Sequence, residues 1–249
     1  MTVHFIGAGP GAEDLLTLRA ARLIGACPVC LYAGALVPEA VLAHAPTGAR
    51  LVDTHHRDLA ALIEELRRAH TQGHDVARLH SGDLSLYSAA AEQQRRLDAL
   101  AIPWSITPGV PAFAAAAAAL GQELTAPNVA QTVILTRYAR RATARPPGEE
   151  IAALAAHRAT LVLHLGVQAI EELVAELTPH YGTHGPVAVV AWASWPQELI
   201  LRGTLATIAR QVREAGVKRT AVIIVGPVLA GEDRGSSHLY SKARERIGS

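Results

Sequence analysis

Short apolar runs alternate with amphipathic stretches through the first half of the chain, and most runs stop at a turn residue. Residues 2–7, 29–32, 50–53, 75–79 and 104–107 read as strands: short runs with glycine, proline or polar residues at their ends. Residues 14–24, 38–44, 59–71 and 89–100 read as helices. Leu59, Leu62, Ile63 and Leu66 recur with the 3.6-residue period of a helix that buries one face. Strict alternation of this kind predicts a parallel sheet covered by helices, with ligand sites at the carboxyl ends of its strands.

After Gly121 the pattern changes. Residues 124–128, L-T-A-P-N, read as a linker. Longer, more β-branched runs follow at 129–136, 160–165, 186–191, 198–203 and 221–226, with helices over 149–155, 168–177 and 205–215. Residues 198–203 follow their neighbour closely enough to pair antiparallel, so a mixed sheet is expected. The expectation is an α/β protein of two domains, 1–122 and 123–249, with a polar tail from about residue 231.

Three strand ends of the first half carry unusual loops: Gly7-Ala8-Gly9-Pro10-Gly11, His80-Ser81-Gly82-Asp83-Leu84-Ser85-Leu86-Tyr87 and Thr107-Pro108-Gly109-Val110-Pro111-Ala112. Glycine lacks a Cβ and tolerates positive φ, so such loops can bring backbone close to a ligand. Three in one sheet imply a shared cleft. Gly7, Gly9 and Ala12 also fit the spacing of a dinucleotide fingerprint, which opens a nicotinamide oxidoreductase as a second reading. Pro10 has no N–H to offer a pyrophosphate, and the strand 29–32 continues into Ala33-Gly34 without the acidic residue that would hold a ribose hydroxyl. A non-catalytic binding protein or carrier is a third.

Composition narrows this further. Hydrophobic residues make up 50% of the 249, yet aromatic ones only 4%, so alanine, leucine and valine do the packing. A net charge of +1 argues against nucleic acid as a partner. No apolar run reaches the ~20 residues of a membrane span, and the start lacks a basic stretch followed by a long apolar core, so a cytoplasmic protein is expected. Cys27 and Cys30 form C-P-V-C without a second such pair, and read as buried thiols. The histidines form no H-E-x-x-H, and no metal is expected.

G-A-G-P-G-x-x-D-L-L-T-L-R-A, L-Y-A-G-A-L-V-P, H-S-G-D-L-S-L-Y and T-P-G-V-P-A together resemble the tetrapyrrole methylases, most nearly the branch that acts on C11 of precorrin-4; T-L-V-L-H-L-G-V and R-G-T-L continue the likeness through Val228. The resemblance implies a two-domain α/β fold distinct from the Rossmann methyltransferases, a homodimer, and S-adenosylmethionine as methyl donor. It implies transfer to C11 of precorrin-4, giving precorrin-5; a cobalt-bearing substrate or another corrin position are the nearest alternatives.

The resemblance also implies which residues meet the cofactor: Pro10, Gly82, Asp83, Tyr87, Pro111 and Ala112 in the glycine-rich loops, and Leu165, Ala193, Thr220 and Ala221 in the second half. An aspartate that relatives acting on uroporphyrinogen carry after the second-strand tyrosine is absent here, since Ala33 follows Tyr32. The proton acceptor is therefore unassigned, with Tyr32 and Tyr87 as candidates. Precorrin-4 is a polycarboxylate. Arg137, Arg140, Arg141 and Arg145 after residues 129–136, and His55, His56 and Arg57 after residues 50–53, are the groups suited to its acid side chains.

Overall fold

The computed structural model describes residues 1–138 and 145–231. It divides into two compact units, one of residues 1–115 with 194–196, the other of residues 116–193 and 197 onward.

The first unit is built on β1 (Val3–Gly7), β2 (Val29–Tyr32), β3 (Arg50–Asp53), β4 (Val76–His80) and β5 (Trp104–Thr107), in the order β3-β2-β4-β1-β5. Every pairing is parallel, with Val3 opposite both Val76 and Trp104. The strands are joined by α1 (Leu18–Ala26), α2 (Glu39–Leu42), α3 (Leu59–Thr71) and α4 (Ala90–Ala99); α5 (Ala112–Ala119) follows β5. Strand alternation sends neighbours to opposite faces. Val3 and Phe5, with Val29, Leu31 and Val76, pack on Leu62, Leu66 and Ala69 of α3 and Leu97 of α4. Ile6, with Cys30, Ala77 and Leu79, packs on Ala20 and Ile24 of α1 and Val41 of α2. Both faces are covered, so the central strands are mostly apolar, Arg78 and His80 on β4 and the part-buried His4 on β1 excepted.

The first helix begins later than residue 14. Residues 13–15 form a 3-10 turn, and the Thr17 hydroxyl accepts from the Ala20 N–H at 3.1 Å, capping α1 at Leu18. Asp58 caps α3 in the same way through the Ala61 N–H at 2.8 Å.

The second unit is a mixed sheet of β6 (Val133–Arg137), β7 (Thr160–His164), β8 (Pro186–Ala191), β9 (Leu199–Thr204) and β10 (Ala221–Val225), in the order β6-β7-β10-β8-β9. Only β6 and β7 run parallel; β8 and β9 form the expected antiparallel pair. Leu161, Leu163, Val187, Val189 and Ile223 face Leu173 and Leu177 of α7 (Ile170–Tyr181) and Ile208 and Val212 of α8 (Ile208–Glu214), with Ile151 of α6 (Ile151–Ala155) beside them.

Among the second-unit boundaries that differ from the sequence pattern, two have a visible cause in the backbone. β6 starts at Val133 rather than 129, because Ala126 and Ala130 close a turn on themselves, the Ala126 N–H donating to the Ala130 carbonyl at 2.7 Å with Asn128 at φ 60°. Helix α7 runs beyond Leu177 through Pro179 to Tyr181, and the Gly182 N–H closes it on the Thr178 carbonyl. The tail expected from about residue 231 lies outside the described residues, Gly231 excepted. No helix among the described residues is long and apolar enough to cross a membrane.

Candidate functional site

In the first unit β1 lies between β4 and β5, so the loops after these three strands meet at one end of the sheet. They meet backbone to backbone. A Cβ added to Gly7 would lie 2.5 Å from the Gly109 nitrogen and 2.9 Å from the Gly82 carbonyl oxygen; one on Gly109 would overlap that same oxygen. Gly9 and Gly82 exchange backbone hydrogen bonds at 2.7 and 3.2 Å, and the Ala8 N–H donates to the His80 carbonyl at 2.8 Å. Gly82 has another reason to be glycine. Its φ is +69°, while a Cβ there would make only ordinary contact with Pro111 and Ala112.

Asp83 ties this junction together. One carboxylate oxygen accepts from the Gly109 N–H at 2.8 Å; the other accepts from the Ser85 N–H at 2.9 Å and from its hydroxyl. Burial alone would raise its pKa, but the hydrogen bonds from Ser85 and Gly109 outweigh burial and hold the carboxyl below its ordinary value. Pro10, Gly82, Asp83, Pro111 and Ala112 are thus gathered around one junction. Tyr87, at the far end of the loop, is 46% exposed and sits in the left-handed region at φ 55°, as does Ala89 at φ 52°. Non-glycine residues held there carry strain, which collects at functional loops.

The same geometry removes the dinucleotide reading. A phosphate cradle needs free amides, and here the Ala8, Gly9 and Ala12 amides donate to His80, Gly82 and the Ser194 hydroxyl, the last at 3.0 Å. Gly11 is small because the Trp195 indole lies where its Cβ would be, and the indole N–H donates to the Pro10 carbonyl at 2.8 Å.

Tyr32 and the segment His55-His56-Arg57 stand at the ends of β2 and β3, which lie beyond β4 from β1. The Tyr32 carbonyl accepts from the Thr54 hydroxyl at 2.8 Å. His55 and His56 are exposed and lie edge to face, 4.5 Å between ring centroids; Arg57 is paired with Glu65 at 3.1 Å. Behind them is a buried polar group that sequence reasoning missed. Arg78 donates to Gln93 and Thr54, and His80 has its Nε2 buried without a partner. Burial, then the Arg78 charge, push the His80 pKa down to about 3. Their only sequence signal is two polar residues inside an apolar strand.

In the second unit the ends of β7 and β8 and the start of β10 fall at one end of the sheet, with His164 opposite Val222 and Ala191 opposite Ala221. Leu165, Ala193, Thr220 and Ala221 all lie at that end. Leu165 is 68% exposed with φ 58°, Thr220 has φ 55°, and Ala193 is buried between Trp192 at φ 49° and Ser194 at φ 68°. The Trp192 N–H donates to the Thr220 carbonyl at 2.8 Å. Arg137 closes β6 opposite His164 at the same end, and Arg145 lies over the Tyr138 ring, 5.5 Å from its centroid. Arg140 and Arg141 lie outside the described residues.

Cys27 and Cys30 are free and buried, and burial pushes both thiols up to about 12. Among the described residues no three His, Cys, Asp or Glu side chains are grouped to hold a metal ion.

Comparison with known proteins places this arrangement. The family model of the tetrapyrrole (corrin/porphyrin) methylases matches residues 2–209. A precorrin-4 C(11)-methyltransferase of Rhodococcus erythropolis is 56% identical over 246 residues, covering 99% of both chains. The X-ray structure of a cobalt precorrin-4 methyltransferase of cobalamin biosynthesis superposes with a TM-score of 0.89 at 35% identity, covering 92% of this chain and 95% of the other. A uroporphyrin-III C-methyl transferase of Thermus thermophilus, complexed with S-adenyl homocysteine, superposes with a TM-score of 0.76 at 29% identity, covering 92% and 99%. The chain belongs to the tetrapyrrole methylase family.

Proposed function

We propose that this chain transfers a methyl group from S-adenosylmethionine to C11 of precorrin-4, giving precorrin-5 in cobalamin biosynthesis. One observation carries the reading: 56% identity across 99% of both chains to a relative of that name. The solved cobalt-precorrin-4 enzyme stands further off at 35%, which favours the metal-free substrate.

The cofactor supplies an electrophilic methyl group on a sulfonium. The residues present suit such a ligand. The loops after β1, β4 and β5 offer backbone packed too tightly for side chains to intervene, and the strained, exposed Leu165 offers an apolar surface. We assign the cofactor to Pro10, Gly82, Asp83, Tyr87, Pro111 and Ala112, with Leu165, Ala193, Thr220 and Ala221. Methyl transfer needs alignment and exclusion of water more than covalent help. Asp83 therefore acts by fixing Gly109, and no nucleophile is required of the chain. Arg137, with Arg140 and Arg141, takes the substrate carboxylates; His55, His56 and Arg57 form the second group, and Tyr32 and Tyr87 are the candidates for proton acceptor. The working form in this reading is a cytoplasmic homodimer that needs no metal.

Calorimetry and product analysis test it. S-adenosylhomocysteine should bind and NAD should not. Mass spectrometry should show one methyl added to precorrin-4 at C11. Methylation of the cobalt-bearing substrate alone would replace this reading with the anaerobic one, and binding of tetrapyrrole without turnover would leave a carrier.

A further inference from the structure

The turn after β1 is held by two side chains that its glycine pattern does not single out. Three contacts fall on the last three residues of the four-residue turn Gly9–Ala12. The Trp195 indole N–H donates to the Pro10 carbonyl at 2.8 Å, the indole face fills the space beside Gly11, and the Ser194 hydroxyl accepts the Ala12 N–H at 3.0 Å. Ser194 does this from the left-handed region at φ 68°, with Trp192 also there at φ 49°. A serine in that conformation costs about 1–2 kcal/mol, and its hydroxyl is what the turn receives. Gly9, the first of the four, is bound through its backbone to Gly82. The turn is therefore clamped from both sides, by the loop after β4 and by Ser194 and Trp195.

We propose that Ser194 and Trp195 are positioning residues for the cofactor: they clamp the Gly9–Ala12 turn in the shape that receives it, without touching the reacting atoms. This rests on the function proposed above. The left-handed backbone is the cost of aiming a hydroxyl at Ala12. Pro10, which has no N–H of its own, is oriented through its carbonyl by the indole.

Substitution at Ser194 separates positioning from folding. Ser194→Gly removes the hydroxyl and the left-handed strain together, so the unfolding midpoint in urea should hold or rise while S-adenosylhomocysteine affinity falls about 5–10-fold, the worth of one hydrogen bond. Ser194→Asn tolerates the same backbone and carries an acceptor, so it should recover most of that affinity. Trp195→Phe keeps a ring and loses the N–H, with a similar fall expected; Gly11→Ala should expel the indole and weaken binding more. If Gly11→Ala does not fold, the Ser194 and Trp195 variants decide alone. Folded Ser194→Gly and Trp195→Phe proteins that bind S-adenosylhomocysteine as tightly as the unsubstituted chain would overturn the proposal. An unsubstituted chain that does not bind it at all would instead overturn the underlying function.

Discussion

The Arg78 guanidinium, 5% exposed, donates from Nε to the Gln93 carbonyl oxygen at 3.1 Å, an amide where a buried cation ordinarily meets a carboxylate. Its other bonds go to the Thr54 hydroxyl at 3.2 Å and the Leu79 carbonyl at 3.4 Å, and no ion pair reaches it among the described residues. Burial pushes its pKa down to about 10. A charge removed from water without a counter-charge is destabilising.

Gln93→Glu supplies that counter-charge at the same atom. Stability at pH 7 should rise by roughly 1–3 kcal/mol, the scale of a hydrogen bond between charged groups, read as a higher urea midpoint. A lower midpoint would mean that the polar groups around Arg78 already neutralise it.

His80 makes the fold acid-sensitive. Its folded pKa, about 3, lies below the unfolded value of 6.5. The unfolded chain therefore binds the extra proton first as pH falls. The contribution is complete above about pH 6.5 and is lost progressively toward pH 3, on the order of a few kcal/mol in all. His164 is lowered by burial and acts in the same direction. Urea unfolding at pH 7, 5.5 and 4.5 should show His80→Asn losing less stability on acidification than the unsubstituted chain. Parallel losses in the two would place the acid sensitivity elsewhere.

Two glycines should respond very differently to alanine. Gly109→Ala drives a Cβ into the Gly82 and Gly7 backbones and should cost at least about 3 kcal/mol or prevent folding, the upper range of overpacking. Gly48 has open space around it and only its φ of +83° to defend, so Gly48→Ala should cost about 1–2 kcal/mol. Equal losses would show that backbone angle governs both.

The thiols should be chemically silent. With both raised to about 12 by burial, Cys27 and Cys30 should not react with a thiol reagent until the chain unfolds. Replacing both by serine buries two hydroxyls and should lower stability by a few kcal/mol while leaving kcat close to normal at 25 °C. A collapse of kcat in folded protein would assign them chemistry.

Arg137→Ala should weaken tetrapyrrole binding about 10-fold or more, the worth of one charged hydrogen bond. S-adenosylhomocysteine affinity should hardly change. Unchanged substrate affinity would move the carboxylate contacts to the segment around His55, His56 and Arg57.

Strands β2, β3 and β5 were legible residue for residue, because each is a short run with a sharp glycine, proline or polar boundary; β2 is buried between neighbours, while β3 and β5 are edge strands that leave Leu51 and Ile106 exposed. The start of β6 was not legible. Val129 and Ala130 are as apolar as Val133 and Ile134, and only the Ala126–Ala130 backbone bond removes them from the strand. At the site, the glycine-rich loops announced themselves, but not the division of labour within them. Gly7 and Gly109 are there for close approach and Gly82 for its backbone angle, a distinction that depends on which strands are neighbours. Ser194 and Trp195 lie more than 180 residues from the turn they hold, and no local pattern marks such a pairing.

The meeting of Gly7, Gly82 and Gly109 also bears on how this protein can be altered. Where backbone touches backbone, no side chain is available to tune, so the junction has little capacity to encode preference for one acceptor over another. Redesign toward a different methyl acceptor would leave these positions alone and vary side chains such as Tyr87, Leu165 and Arg137, whose replacement leaves that junction intact.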